Sequence, residues 1–183
     1  RQIIRRLHNT YCRSIGVQFM HMDDLLVRQW LQVRMEGCEN RIQLDRKQQL
    51  RIYRQMTTAA VFEEFIQKRF LGSKSFSLEG SESLIPLVEM AIERGASQDI
   101  QDVVMAMAHR GRLNVLANIM RKSPQRIFRE FADLDPELHV GRGDVKYHLG
   151  HSTDYVAENG RKVHLTLCLS LIHISEPTRP SSI

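Results

Sequence analysis

"VVMAMAHRGRLNVL", residues Val103 to Leu116, joins a continuous apolar run to a helical pattern through a turn that holds one histidine and two arginines. The apolar half has the length of a strand, and it predicts one buried on both faces, as in parallel sheets covered by helices on each side. The pattern from Leu113 to Lys122 is helical. A strand that enters a helix through a polar turn is the building unit of α/β folds, whose ligands bind beyond the carboxyl ends of the strands. His109, Arg110, Gly111 and Arg112 occupy that place. Arg110 or Arg112 can give charge-assisted hydrogen bonds to phosphate or carboxylate oxygens, roughly 1.5–3 kcal/mol each. The first N–H groups of the helix favour an anion as well. A neutral His109 can donate to a carbonyl or carboxylate and change charge near pH 7. The turn reads as an anion-binding, catalytic one. The competing reading makes Arg112 a solvated charge at the helix start and His109 a satisfied boundary residue.

Upstream, residues 1–71 read as a helical segment. Asp23 to Met35 sets Leu26, Trp30 and Val33 on one face, and Trp30 is expected in the core. Asp45 can cap a longer helix whose Leu50, Tyr53, Met56, Ala60, Phe62, Phe65, Ile66 and Phe70 suit packing on both sides. Gly72 ends it, and the Gly/Ser loop "GSKSFSLEGSES" leads into "LIPLVEMAIERGA". There Ser83 is the expected N-cap, Pro86 falls in the tolerant first turn and Gly95 stops the helix.

Downstream, Ser123-Pro124 restarts a short helix through Phe131. "VGRGDVKYHLGHSTD" then reads as a Gly-rich polar loop before the strand "VHLTLC". It offers His148 and His151 beside Lys146 and Tyr147. The spacing of His139, His148 and His151 does not match a zinc pattern, and no cysteine pair assists, so no metal site is assigned. Arg142-Gly143-Asp144 is a chance tripeptide rather than an adhesion signal.

Three widely spaced cysteines, Cys12, Cys38 and Cys168, suit a reduced intracellular protein better than a disulfide framework. The net charge of +5 is spread along the chain, without a single-sign block or interleaved exposed aromatics to suggest a nucleic-acid partner. No apolar stretch is long enough for a membrane span. The chain begins at Arg1 rather than Met, so its true start is expected to lie upstream, and no targeting signal is read. The last residues, "LSLIHISEPTRPSSI" from Leu169 to Ile183, have neither helical nor strand periodicity. "LSLIHISEPTR" resembles the translation of a transposase-type sequencing adapter, so residues 169–183 are expected to be non-native, and His173 is set aside with them.

"FLGSKSFSLEGSESLIPL", "VVMAMAHRGRLNVLANIM", "GDVKYHLGHSTD" and "VHLTL" together, in order and spacing, resemble the thiamine diphosphate-dependent first component of 2-oxoglutarate dehydrogenase complexes. "TYCRSIGVQFMHMDD" and the Trp30 helix fit the same family. The resemblance covers Arg1 to Cys168 and implies an α/β fold. A helical segment over 1–71 leads into an incomplete, pyrophosphate-type thiamine diphosphate-binding domain with a parallel sheet over 72–168.

The resemblance further implies an oxidoreductase that decarboxylates 2-oxoglutarate in the tricarboxylic acid cycle and passes the succinyl group to a lipoyl group on the second component. It implies that Arg110 contacts the cofactor, that His109 faces the substrate, and that His148 binds the substrate or steadies its developing charge. The family's magnesium motif and pyrimidine-binding domain would follow Cys168, so Mg2+ ligands are expected outside this chain, and the chain alone is expected to be inactive. Homodimers are implied for the full-length protein, in the bacterial cytoplasm or, in a eukaryote, the mitochondrial matrix. His151 departs from the less polar residue usual in many members. The alternatives are the related 2-oxoadipate dehydrogenase component, which shares "HRGRLN" but tends to lose "KYHLG", and two non-enzymatic roles, a basic binding module or an assembly fragment.

Overall fold

The computed structural model describes residues 1–72, 75–131 and 150–168. His139, His148, most of the Gly-rich loop and the tail 169–183 lie outside them. The chain forms two compact units, residues 1–48 and 49–183.

In the first unit, α1 (Gln2–Tyr11) lies against α2 (Leu25–Cys38). Asp24 caps α2 by accepting the N–H groups of Leu26 and Val27 at 2.8 and 3.2 Å. Polar pairs join the two helices: Tyr11 Oη donates to Glu36 Oε1 at 3.0 Å and Asn9 Nδ2 to Glu39 Oε2 at 2.8 Å. Trp30 corrects the expectation, since it is 58% exposed with the Arg34 guanidinium 4.8 Å from its ring centre. The physical reason is that α2 uses its Glu36 side against α1, which leaves the stripe of Leu26, Trp30 and Val33 outward.

All but the first three residues of α3 (Arg46–Arg69) belong to the second unit. Its start is a reciprocal cap: Asp45 Oδ1 accepts the Gln48 N–H at 2.8 Å while Gln48 Oε1 accepts that of Asp45 at 3.0 Å. Among the described residues only one side of α3 is buried, contrary to the two-sided packing expected. Ala59, Glu63 and Ile66 face inward, whereas Leu50, Tyr53 and Phe65 are exposed. At its C-terminal end, Phe62, Phe65 and Phe70 surround Phe128 with ring centres 6.0, 4.9 and 5.5 Å from it.

Next come α4 (Leu84–Ser97), β1 (Asp102–Met105), α5 (Arg112–Asn118), α6 (Pro124–Phe131), β2 (His151–Val156) and β3 (Lys162–Leu167). Ser83 occupies the N-cap of α4 but makes no side-chain capping bond, and Gly95 sits buried inside the last turn rather than beyond it. Pro124 opens α6, as its fixed φ favours.

The sheet order is β1-β3-β2, with β1 parallel and β2 antiparallel to β3. The mixed sheet corrects two expectations. His151 to Asp154 is strand rather than loop, because these residues find a ladder partner in β3. Nor is β1 buried on both faces: Val104 is 70% exposed, since among the described residues only one face of the sheet is covered. That face carries Tyr155, Val163, Leu165 and Leu167 against Ile66, Ile85, Ile92 and the apolar residues of α5. On the other face Asp102, His164 and Asp154 form one cross-strand row, with His164 Nδ1 2.7 Å from Asp154 Oδ1. Among the described residues no helix is long and apolar enough to cross a membrane.

Candidate active site

The turn between β1 and α5 is shaped by its contacts with the loop before α4. Gly111 has φ +74, a left-handed conformation, and its N–H donates to the Phe76 carbonyl at 2.7 Å. A Cβ built on Gly111 would stand 2.5 Å from Leu78 Cδ1, so glycine is required here for space as well as for conformation. Arg110 Nη2 donates to the Glu79 carbonyl at 2.9 Å, while the Phe76 ring lies against the His109 imidazole with centres 5.0 Å apart.

The two arginines have different fates. Arg110 is exposed, and its charge helps to hold the Glu82 carboxyl below the ordinary value, behind the backbone N–H bonds at Glu82 and Gly80. Arg112 is fully buried and donates to the carbonyls of Met107 at 3.5 Å and Cys168 at 2.5 Å. It ties the carboxyl ends of the β1 and β3 segments to the start of α5. Burial pulls its pKa down from 12.5. Arg112 is therefore neither the anion ligand nor the solvated charge that its sequence position suggested. The helix start is also not an open anion site, because α5 has only seven residues and the N–H groups of Gly111 and Arg112 are used by Phe76 and His109.

Sequence reasoning passed over Asn114, which is fully buried. Its Nδ2 donates to the Ala59 carbonyl at 3.0 Å and to Glu63 Oε1 at 2.9 Å, fastening α5 to α3. The signal was present, a lone amide among the apolar residues of "RLNVL". A second polar cluster left no mark in the sequence. Tyr155 Oη donates to Glu93 at 2.6 Å and stands 3.0 Å from Glu89, and Arg51 Nη2 lies 2.9 Å from both carboxylates. This cluster joins α3, α4 and β2. Burial, with the Glu93 hydrogen bond, raises the Tyr155 pKa far above 10.0.

The sheet register sets the edge of the site. Met105 pairs with Leu167, and Leu167 with His151. The end of β1, which leads into the His109 turn, and the beginning of β2 therefore share one edge. His148, three residues before β2, lies outside the described residues. Among the described residues no three His, Cys, Asp or Glu side chains converge as a metal site.

No family model matches the chain. It is 40% identical over 173 residues to the 2-oxoglutarate dehydrogenase E1 component of Haemophilus influenzae, which covers 94% of this chain and 18% of that protein. By sequence it is a relative of the 2-oxoglutarate dehydrogenase E1 component. The proteins of that name from Brucella ovis and Brucella canis are 42% identical to it over 170 residues, 92% of this chain and 17% of each. The chain thus spans less than one fifth of the length of these E1 relatives, 17–18%.

Proposed function

We propose that this chain is the part of a 2-oxoglutarate dehydrogenase E1-type enzyme that supplies one side of a thiamine diphosphate site, Arg110 holding the anionic end of the cofactor and His109 and His148 facing the substrate. The observation that supports this most is the shared edge: the register brings the end of β1 and the start of β2 to the carboxyl end of the parallel pair. Of the two arginines in the turn, only Arg110 is exposed and suited to a diphosphate, because Arg112 is committed to backbone carbonyls inside the fold.

Bound thiamine diphosphate supplies a nucleophilic carbon and an electron sink for loss of carbon dioxide from a 2-oxo acid. The chain's own residues bind and orient. Arg110 contributes fixed positive charge to the diphosphate. His109 and His148 each hold a proton on a ring nitrogen and donate it in a hydrogen bond to a substrate carboxylate or to the oxygen where charge develops. We assign the ligands of the accompanying magnesium ion to the length of the E1 relatives that this chain does not span. The same reading takes 2-oxoglutarate as substrate, a lipoyl-bearing succinyltransferase as acceptor, a homodimer as the assembled form and the bacterial cytoplasm as the setting.

The test is a chimera in which residues 1–168 replace the matching stretch of the Haemophilus influenzae relative. It is expected to decarboxylate 2-oxoglutarate, whereas the 183-residue chain alone shows no turnover. Arg110→Ala should raise the half-saturating cofactor concentration about tenfold or more, the loss of one charge-assisted bond. His109→Ala and His148→Ala should lower kcat by about 10²-fold. Unchanged cofactor saturation in the first variant, or unchanged turnover in both others, overturns the assignments.

A further inference from the structure

We propose that Phe76 is a positioning residue for His109, its ring fixing the imidazole while its backbone anchors the turn beneath. The inference rests on the reading of His109 as a substrate-facing group and adds a residue to that site.

Phe76 has φ +46, in the left-handed region that bulky aromatic side chains rarely enter. Such strain persists only where the surroundings over-determine it, and it concentrates at functional sites. Here the surroundings are the turn itself. The Phe76 carbonyl accepts the Gly111 N–H at 2.7 Å. Leu78, 1% exposed, fills the space that a side chain at position 111 would need. The Glu79 carbonyl accepts from Arg110 at 2.9 Å. One short loop thus grips Arg110 and Gly111 through two carbonyls and one buried leucine, and the Phe76 ring of the same loop is laid on His109. The ring centres are 5.0 Å apart with the planes inclined at 40°.

Core formation does not account for this ring. Phe76 is 41% exposed, whereas its neighbour Leu78 supplies the buried contact of the same loop. An aromatic face restrains imidazole rotation by van der Waals contact, yet it does not compete for the hydrogen bonds of the ring nitrogens. A polar side chain in the same place would hold the ring only by occupying one of the nitrogens that the site needs.

The first measurement is NMR of the imidazole of His109 in the 183-residue chain. Nuclear Overhauser contacts between the Phe76 and His109 rings are expected, together with a ring-current displacement of the His109 carbon-bound protons. Phe76→Leu should abolish the displacement and let the imidazole average over rotamers, with the methyl resonances of Leu78, Val163 and Leu165 in place. Phe76→Tyr should retain it. Should Phe76→Leu disturb those methyls, Phe76→Gly carries the same comparison, since glycine accepts the positive φ.

In the chimera Phe76→Leu should lower kcat about tenfold or more, as misplacement of a reacting partner does, with little change in KM for 2-oxoglutarate and recovery in Phe76→Tyr. The inference is overturned if the His109 resonances are the same in Phe76→Leu as in the parent, or if an active chimera keeps its kcat in that variant. An inactive parent chimera overturns the proposed function instead, and the NMR comparison alone then decides whether Phe76 holds His109.

Discussion

The Arg112 guanidinium stands 2.5 Å from the carbonyl oxygen of Cys168, so a fully buried cation holds together chain segments 56 residues apart. Replacing it by methionine keeps most of the volume but leaves the Met107 and Cys168 carbonyls without this donor. Arg112→Met is expected to lower unfolding free energy by about 1–3 kcal/mol, since partly buried acceptors that lose a charged donor forfeit the bond and recover only part of their hydration. Urea denaturation followed by circular dichroism measures this. A midpoint equal to the parent's would show that the carbonyls are satisfied without Arg112.

Gly111→Ala combines a left-handed φ with a Cβ placed 2.5 Å from Leu78 Cδ1. The conformational part costs about 1–2 kcal/mol, and the clash adds to it. A double-mutant cycle separates the two, because Leu78→Ala removes the struck atom while the φ penalty stays. The pair should be coupled, with the second substitution costing less in the Gly111→Ala background than in the parent. Strict additivity would mean that the loop moves aside freely.

Asn114→Ala should cost about 2–3 kcal/mol, because it strips Glu63 and the Ala59 carbonyl of a buried donor at once. Asn114→Asp should cost at least as much at neutral pH, where a carboxylate would face the Glu63 carboxyl group. Its deficit should shrink as the solution is acidified and the new group is protonated. Thermal unfolding at two pH values distinguishes these.

The Tyr155 cluster gives stability two pH limits. Burial alone would raise the Glu93 pKa, but hydrogen bonds from Tyr155, Arg51 and the Glu158 N–H hold it below 4.5. Its contribution is therefore present above the unfolded value and lost as pH falls through the folded one. Tyr155 is the opposite case. With its pKa raised above 10.0, the unfolded chain releases this proton first, so stability declines as pH climbs past about 10. Tyr155→Phe should remove the alkaline decline that belongs to this group and cost about 1–2 kcal/mol at pH 7. A stability profile of Tyr155→Phe that matches the parent's at both ends would contradict this.

Much of the local architecture was legible in the chain. Asp45 and Pro124 mark helix starts by a side-chain oxygen or a preset φ, effects that act within a few residues. The β1 segment announced itself as an apolar run, and "VHLTLC" read as a strand by the alternation of its apolar and polar residues. β2 did not, because "HSTDYV" has polar residues at most positions and becomes a strand only through its ladder to β3. The exposure of Trp30 and Val104 was likewise unreadable, since periodicity shows which residues share a face but not whether another element covers that face. His109 and Arg110 drew attention as chemistry-bearing residues after a strand. Phe76 did not, because a positive φ at phenylalanine has no signature in sequence.

By itself the sequence determined where the helices and the strands β1 and β3 lie, where a polar turn interrupts them, and which proteins the chain is related to, because caps, periodicity and motif spacing are properties of near neighbours along the chain. Only the tertiary structure decided that Arg112 is buried while Arg110 is not, that β1 and β2 meet at one edge, and that a loop some 30 residues upstream grips the His109 turn. Those outcomes depend on which distant carbonyls, rings and side chains come within reach, and that is fixed by packing rather than by local preference.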